Sequence, residues 1–228
     1  MRTSQTGAAP RRRQDATLPP ASQGGDTARA SGRPIREEIL DAARELAQTV
    51  GFEAFSYADL AERVGIRSAS IHHHFRYKHD LVAELLMRYR LGFAQATNAL
   101  NAIDSAPDRL VAYARLLTEV AAQGRMWLCG MSAAEWSSIG ESGQDEVTAF
   151  LSEQRTWLTS TLSDGLKQKV FPDDLKPGAL AEVMLVALEG ALLLARAGDQ
   201  TPDATTIMKQ LLGTITPSPA RQVKVSRR

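Results

Sequence analysis

Gly65 to Leu81 reads GIRSASIHHHFRYKHDL, and all four histidines of the chain lie inside it. Neighbouring residues on a helix point about 100° apart, so His72, His73 and His74 cannot converge on one ion. His79 follows beyond a break expected at Tyr77 to Asp80. Helices that bind metals space their ligands at i and i+4, with carboxylate or thiolate help. No metal site and no cofactor are expected here. The run is internal and interleaved with Ile71 and Phe75, unlike a purification remnant.

The same stretch fits two short helices joined at a glycine. SYADLAERVG precedes it, where Ser56 and Asp59 have capping-box spacing and Leu60, Ala61 and Val64 make an apolar face. Gly65 supplies the turn, and SASIHHHF forms the next helix with Ile71, His74 and Phe75 on one face. Packing of Leu60 and Ala61 against Ile71 and Phe75 would fix the crossing angle of a helix-turn-helix, whose second helix enters the DNA major groove. Arg67, Ser68, Ser70, His72 and His73 then face solvent and can meet base edges or phosphates. Ile71, His74 and Phe75 read as packing residues rather than readers.

Working outward, Pro34 suits a first helical turn, and Ile35, Ile39, Ala43, Leu46 and Val50 recur at helical spacing until Gly51. LVAELLMRYRLGFAQATNALNAI predicts a long fourth helix. Pro107 to Gln123, Met126 to Ile139, Gln144 to Val170, Gly178 to Ala197 and Asp203 to Ile215 keep the period, each bounded by Gly, Pro, Asp or Ser. No segment alternates with period two. The expectation is an all-α protein of about nine helices.

Residues 35 to 92 resemble the DNA-binding domain of the TetR family of transcriptional regulators. Gly65, Ser70, Ile71, His73, His74, Phe75, Lys78 and Leu81 fall in register with its signature. So do the run from Ile39 through Ala43 to Gly51 and Phe52, and the Ser56 cap with Leu60 and Ala61. The resemblance covers about a quarter of the chain. It implies a three-helix DNA-binding domain over 34–92 and a larger helical ligand-binding and dimerisation domain over 93–216. It also implies contacts to an operator from Ser56, Arg67, Ser68, Ser70, His72, His73 and Lys78. His72 stands where the family usually carries a phenol that touches a phosphate, and Arg67 where it usually carries a small capping hydroxyl. Lys78 resembles the family's phosphate-contacting lysine and would gain from the positive end of the fourth helix.

Beyond that domain the resemblance implies a homodimer through the last two helices. Ala181, Met184, Leu185, Leu188, Ala191, Leu192 and Ala195 make an apolar face suited to close helix contact or to the chain's own core. RMWLCGMSAAEW resembles a segment of one branch of the family. It gathers Trp127, Met131, Glu135 and Trp136, with Phe150 and Trp157 on the following helix, into a candidate pocket for a small-molecule effector. An aromatic stripe at helical spacing is also ordinary core. Cys129 reads as an inert buried thiol.

The composition, 43 % hydrophobic and 23 % charged, is that of a soluble globular chain, and the formal net charge of +1 hides a segregation. Residues 1–33 carry six Arg against two Asp, and 217–228 carry four basic and no acidic groups. Residues 93–216 hold nine basic and fifteen acidic groups. The two ends read as disordered basic arms, and Arg11, Arg12 and Arg13 are of the kind that reaches into a minor groove. One cysteine allows no internal disulfide, and the longest apolar stretch is interrupted by Glu182 and Glu189. A cytoplasmic protein without a membrane segment is expected.

A metal- or thiol-dependent enzyme is the rival, but no histidine lies near Cys129 in sequence and no Gly-rich phosphate loop occurs. A helical adaptor without DNA binding is the other alternative. The reading is a ligand-responsive repressor, not an enzyme, that binds a palindromic operator as a homodimer and is released by an inducer.

Overall fold

A computed structural model describes residues 34–198 and 200–216. The expected basic arms over 1–33 and 217–228 lie outside them. Among the described residues there are nine helices and no strand: α1 (Ile35–Val50), α2 (Tyr57–Val64), α3 (Ser68–His74), α4 (Lys78–Leu100), α5 (Ala106–Ala122), α6 (Leu128–Ala134), α7 (Gly140–Lys167), α8 (Pro177–Arg196) and α9 (Ala204–Ile215).

The first three helices and the start of α4 share one core. Ile39, Leu40, Ala43, Phe52, Leu60, Ile71, Phe75 and Leu81 are all buried within it. Each fully buried Leu or Ile of this kind contributes about 1.5–3 kcal/mol over an exposed one. A second core fills the body, where α4 packs on α7, α7 on α8, and α5 on α9. Its centre is aromatic: Phe93, Tyr89 and Phe150 surround Trp127, with Phe93 and Trp127 edge to face at 4.9 Å.

Three boundaries differ from the sequence reading for local reasons. α4 starts at Lys78, because Tyr77 is extended and caps it, so Tyr77 to Asp80 is not a break. α6 stops at Ala134, and the chain turns over Glu135 to Ser138 where Ser138 N donates to the Glu135 carbonyl at 2.9 Å. α7 begins at Gly140, which lies at φ 70°, a conformation costly for other residues.

On α8 the structure decides between the two readings left open by the sequence: Ala181, Met184, Leu185, Leu188 and Ala191 are buried in the chain's own core. The opposite side is apolar too, and uncovered: Val186 is 69 % exposed and Leu193 68 %, with Val183 and Leu194 beside them. The helix has the length and mean hydropathy (1.9) of a membrane span, yet its inner stripe is packed against α5, α7 and α9.

Candidate nucleic-acid interface and ligand cavities

The short helix pair is built from its caps inward. Ser56 Oγ accepts from Asp59 N while Asp59 Oδ2 accepts from Ser56 N at 2.6 Å, closing the capping box. The Ser56 hydrogen bonds hold the Asp59 carboxyl below the usual carboxylate range. α2 ends on Gly65 at φ 72°, and Ile66 N returns to the Ala61 carbonyl at 2.9 Å. That left-handed residue and the returned bond satisfy the last carbonyls and swing the chain directly into α3. Behind the turn, Leu60, Ala61, Ile71 and Phe75 are buried together.

α3 then shows a polar outer face. Arg67, His72 and His73 are exposed, Ser68, Ser70 and His74 half-buried, and Ile71 and Phe75 buried. The His72 ring meets the Tyr57 ring edge on at 4.7 Å. Arg67 caps α3 through its backbone alone. Two of the expected contact residues are already engaged. The Ser56 hydroxyl is spent in the capping box, and Lys78 Nζ donates to the Phe55 carbonyl and lies 4.4 Å from that ring's centre. Burial lowers the Lys78 pKa, and the charges of Glu135, Glu53 and Asp59 oppose the shift. An ammonium has three donors, so Lys78 keeps two.

Sequence reasoning passed over Arg76, Tyr77 and His79, all exposed on the edge next to α3. The Tyr77 and His79 rings stack at 5.2 Å, and the Arg76 guanidinium lies 5.3 Å from the Tyr77 ring. Their signal was visible: basic and aromatic residues alternate immediately after the motif. Among the described residues no three His, Cys, Asp or Glu side chains are grouped to hold a metal ion.

The C-terminal end of α1 is clamped by the body. Met126 N donates to the Gln48 carbonyl at 2.8 Å, and the Gln48 amide donates back to the Met126 carbonyl at 3.1 Å. Arg196, the last residue of α8, donates to the Thr49 carbonyl at 3.2 Å. The Glu135 carboxylate accepts from Glu53 N at 2.9 Å, and Ser138 donates to Glu53. Gly51 makes this approach possible. It sits at φ 100°, and a Cβ there would lie 2.3 Å from Glu135 Oε1.

Two cavities flank Trp127. One of about 670 Å³ opens between α1, α4 and α5, past Arg44, Arg88, Tyr89 and Leu91. The other, about 330 Å³, lies under α8 and is bounded by Met126, Trp127, Gly130, Met131, Glu189 and Leu192. Of the six residues expected at a pocket, Trp127 lines both cavities and Met131 the second. Glu135 reaches Glu53 instead. Trp136 is exposed, Phe150 belongs to the aromatic core, and Trp157 stacks on Tyr113 at 5.2 Å and donates to Asn101 at 3.2 Å. Cys129 is buried, and burial pushes its thiol pKa up.

Glu189 is the functional candidate that sequence reasoning did not single out. Burial raises its carboxyl pKa to about 7, with the Trp127 indole N–H pulling the other way. Its signal was visible: it is one of two acids, with Glu182, on an otherwise apolar helix.

A polar short helix locked to its partner by an apolar back, on the end of a larger helical body, is the construction of a helix-turn-helix regulator. The model of the bacterial regulatory proteins of the tetR family matches residues 39–85. A TetR-family transcriptional regulator from Agrobacterium tumefaciens is 33 % identical, with a TM-score of 0.75 over 80 % of this chain and 98 % of that one. A TetR regulator from Legionella pneumophila is 26 % identical, with a TM-score of 0.70 over 84 % of this chain and 100 % of its own. The HTH-type transcriptional repressor KstR2 of Rhodococcus jostii (strain RHA1) is 43 % identical over 70 residues, 31 % of this chain. That match spans only 32 % of the repressor's length. The chain belongs to the TetR family of transcriptional regulators.

Proposed function

We propose that the protein is a homodimeric repressor that binds a palindromic operator and leaves it when a small molecule fills the body. The observation that carries this reading is α3, whose exposed Arg67, His72 and His73 sit on a helix held rigid from behind by buried Ile71 and Phe75. A rigid polar surface of this size suits direct readout of base edges. Ser68 and Ser70 complete it. Arg76, Tyr77, His79 and the two remaining Lys78 donors suit the flanking phosphates. Residues 34–92 serve as the reading head and 93–216 as the sensing and dimerising body. The basic ends, 1–33 and 217–228, suit further phosphate contacts.

The exposed apolar stripe of α8 supports dimerisation, since a stripe of Val183, Val186, Leu193 and Leu194 is expensive to leave in water. Two copies paired through it would set their α3 helices about 34–36 Å apart on successive major grooves. Control by an effector is supported by the clamp. Met126, Met131 and Arg196 line the cavity under α8 and also hold, or press on, the Gln48 to Gly51 segment. An occupant that shifts those residues favours a different angle between head and body, provided that it binds the two arrangements unequally. The site of action is the cytoplasm, where the DNA lies, and no catalytic step is assigned. A gel-shift titration with the DNA upstream of the protein's own gene tests the reading. A sequence-selective, salt-sensitive shift is expected, and its absence would count against it.

A further inference from the structure

The cavity under α8 contains one group that nothing in the fold explains. Glu189 lines it in the middle of an apolar helix, and among the described residues it makes no ion pair. Trp127 lines the cavity with it; burial, and after it the charge of Glu189, raises the pKa of Tyr89, Tyr113 and Cys129, which do not line the cavity. The Trp127 Nε1 and the Tyr89 hydroxyl are buried without a hydrogen-bond partner of good geometry. Gly130 faces it closely, for a Cβ there would stand 3.7 Å from Glu189 Oε2, in ordinary contact. The charged groups at the other end are Arg125 and Arg196. They are occupied, Arg196 by the Thr49 carbonyl and Arg125 by Glu45 at 3.9 Å. Seven residues of helix, about 10 Å, separate Glu189 from Arg196.

A carboxylate set beside an indole, with no cation paired to it, is costly, and an occupant that brings a positive charge removes that cost. The Trp127 indole, which lines the same cavity, also attracts a cation through its π-system. We propose that this cavity takes an organic cation, an ammonium carried on a short hydrocarbon or aryl body, with the ammonium at Glu189 and Trp127 and the body along Met131 and Leu192. The proposal rests on reading the cavity as the effector site. A cation holds Glu189 ionised, so binding releases protons and strengthens as pH rises through the group's own titration near 7.

Calorimetric titration of the full-length protein with (3-phenylpropyl)trimethylammonium, with its neutral isostere carrying carbon in place of nitrogen, and with 4-phenylbutyrate tests this. The ammonium is expected to bind about tenfold more tightly than the isostere at pH 8. Most of that advantage should be lost at pH 6 and in Glu189→Gln, while the isostere binds wild type and variant alike. Equal binding of ammonium and isostere, a preference for the carboxylate, no binding at all, or a pH-independent preference would overturn it. Adding each compound to the protein–DNA complex separates the two readings. Release by 4-phenylbutyrate alone sinks the cation and leaves the effector site standing. Glu189-dependent ammonium binding that leaves DNA affinity unchanged leaves the cation site standing and sinks its role as effector site.

Discussion

The outer surfaces of α3 and α8 are opposites. α3 turns its apolar side inward and shows water Arg67, His72 and His73; α8 is apolar on both sides and shows water Val186 and Leu193. Polar groups on a rigid helix lose little by staying hydrated and gain direction when a partner with fixed donors and acceptors arrives. Apolar groups gain only by being covered. The first surface therefore suits a duplex and the second suits another protein surface, and substitutions can disable the two separately.

The largest effect should come from α8. Val186→Arg places a charge on the exposed apolar stripe, at the centre of the proposed symmetric contact. Sedimentation at micromolar concentration should show a monomer that keeps its helicity. Operator affinity should fall by about a hundredfold or more, because half-sites no longer bind together. A variant that remains dimeric would move the dimer contact elsewhere.

Gly51→Ala acts on the join between the regions. The new methyl meets the Glu135 carboxylate at a backbone angle that alanine resists, so the Glu135 to Glu53 bond must break. Chemical denaturation should show a loss of about 2–3 kcal/mol. Unchanged stability would mean that the clamp yields freely and transmits little.

The smallest effect is local to the head. Ser56→Ala removes the hydroxyl side of the capping box at the start of α2, leaving the backbone N–H of residue 56 to donate to Asp59, and should cost about 1 kcal/mol, with the oligomeric state unchanged. A larger loss would show that the helix pair depends on this cap rather than on Leu60 and Ile71 behind it.

The same contrast explains how much could be read from the sequence. In the head each signal points one way: Gly65 for a left-handed turn, Ser56 and Asp59 for a cap, and Ile71 and Phe75 set among polar neighbours for the buried side. On α8 the period could not choose between two apolar faces, so Met184 and Leu188 suited a partner helix and the chain's own core equally, and the core holds them. The clamp was invisible for another reason. Glu135 and Glu53 are far apart in the chain, and only the fold shows that Gly51 lets them meet. Glu189 was legible as an oddity, but its burial beside Trp127 was not.

The central claim is that the outer face of α3 reads DNA, and its most direct test compares wild type with a His73→Ala variant. Binding to operator and to random duplex is measured across a salt series. The variant should lose about 10–100-fold in operator affinity while keeping its affinity for random DNA, because base contacts carry sequence and phosphate contacts carry the salt dependence. Operator and random binding that fall together, or an unchanged preference for operator, would contradict the claim.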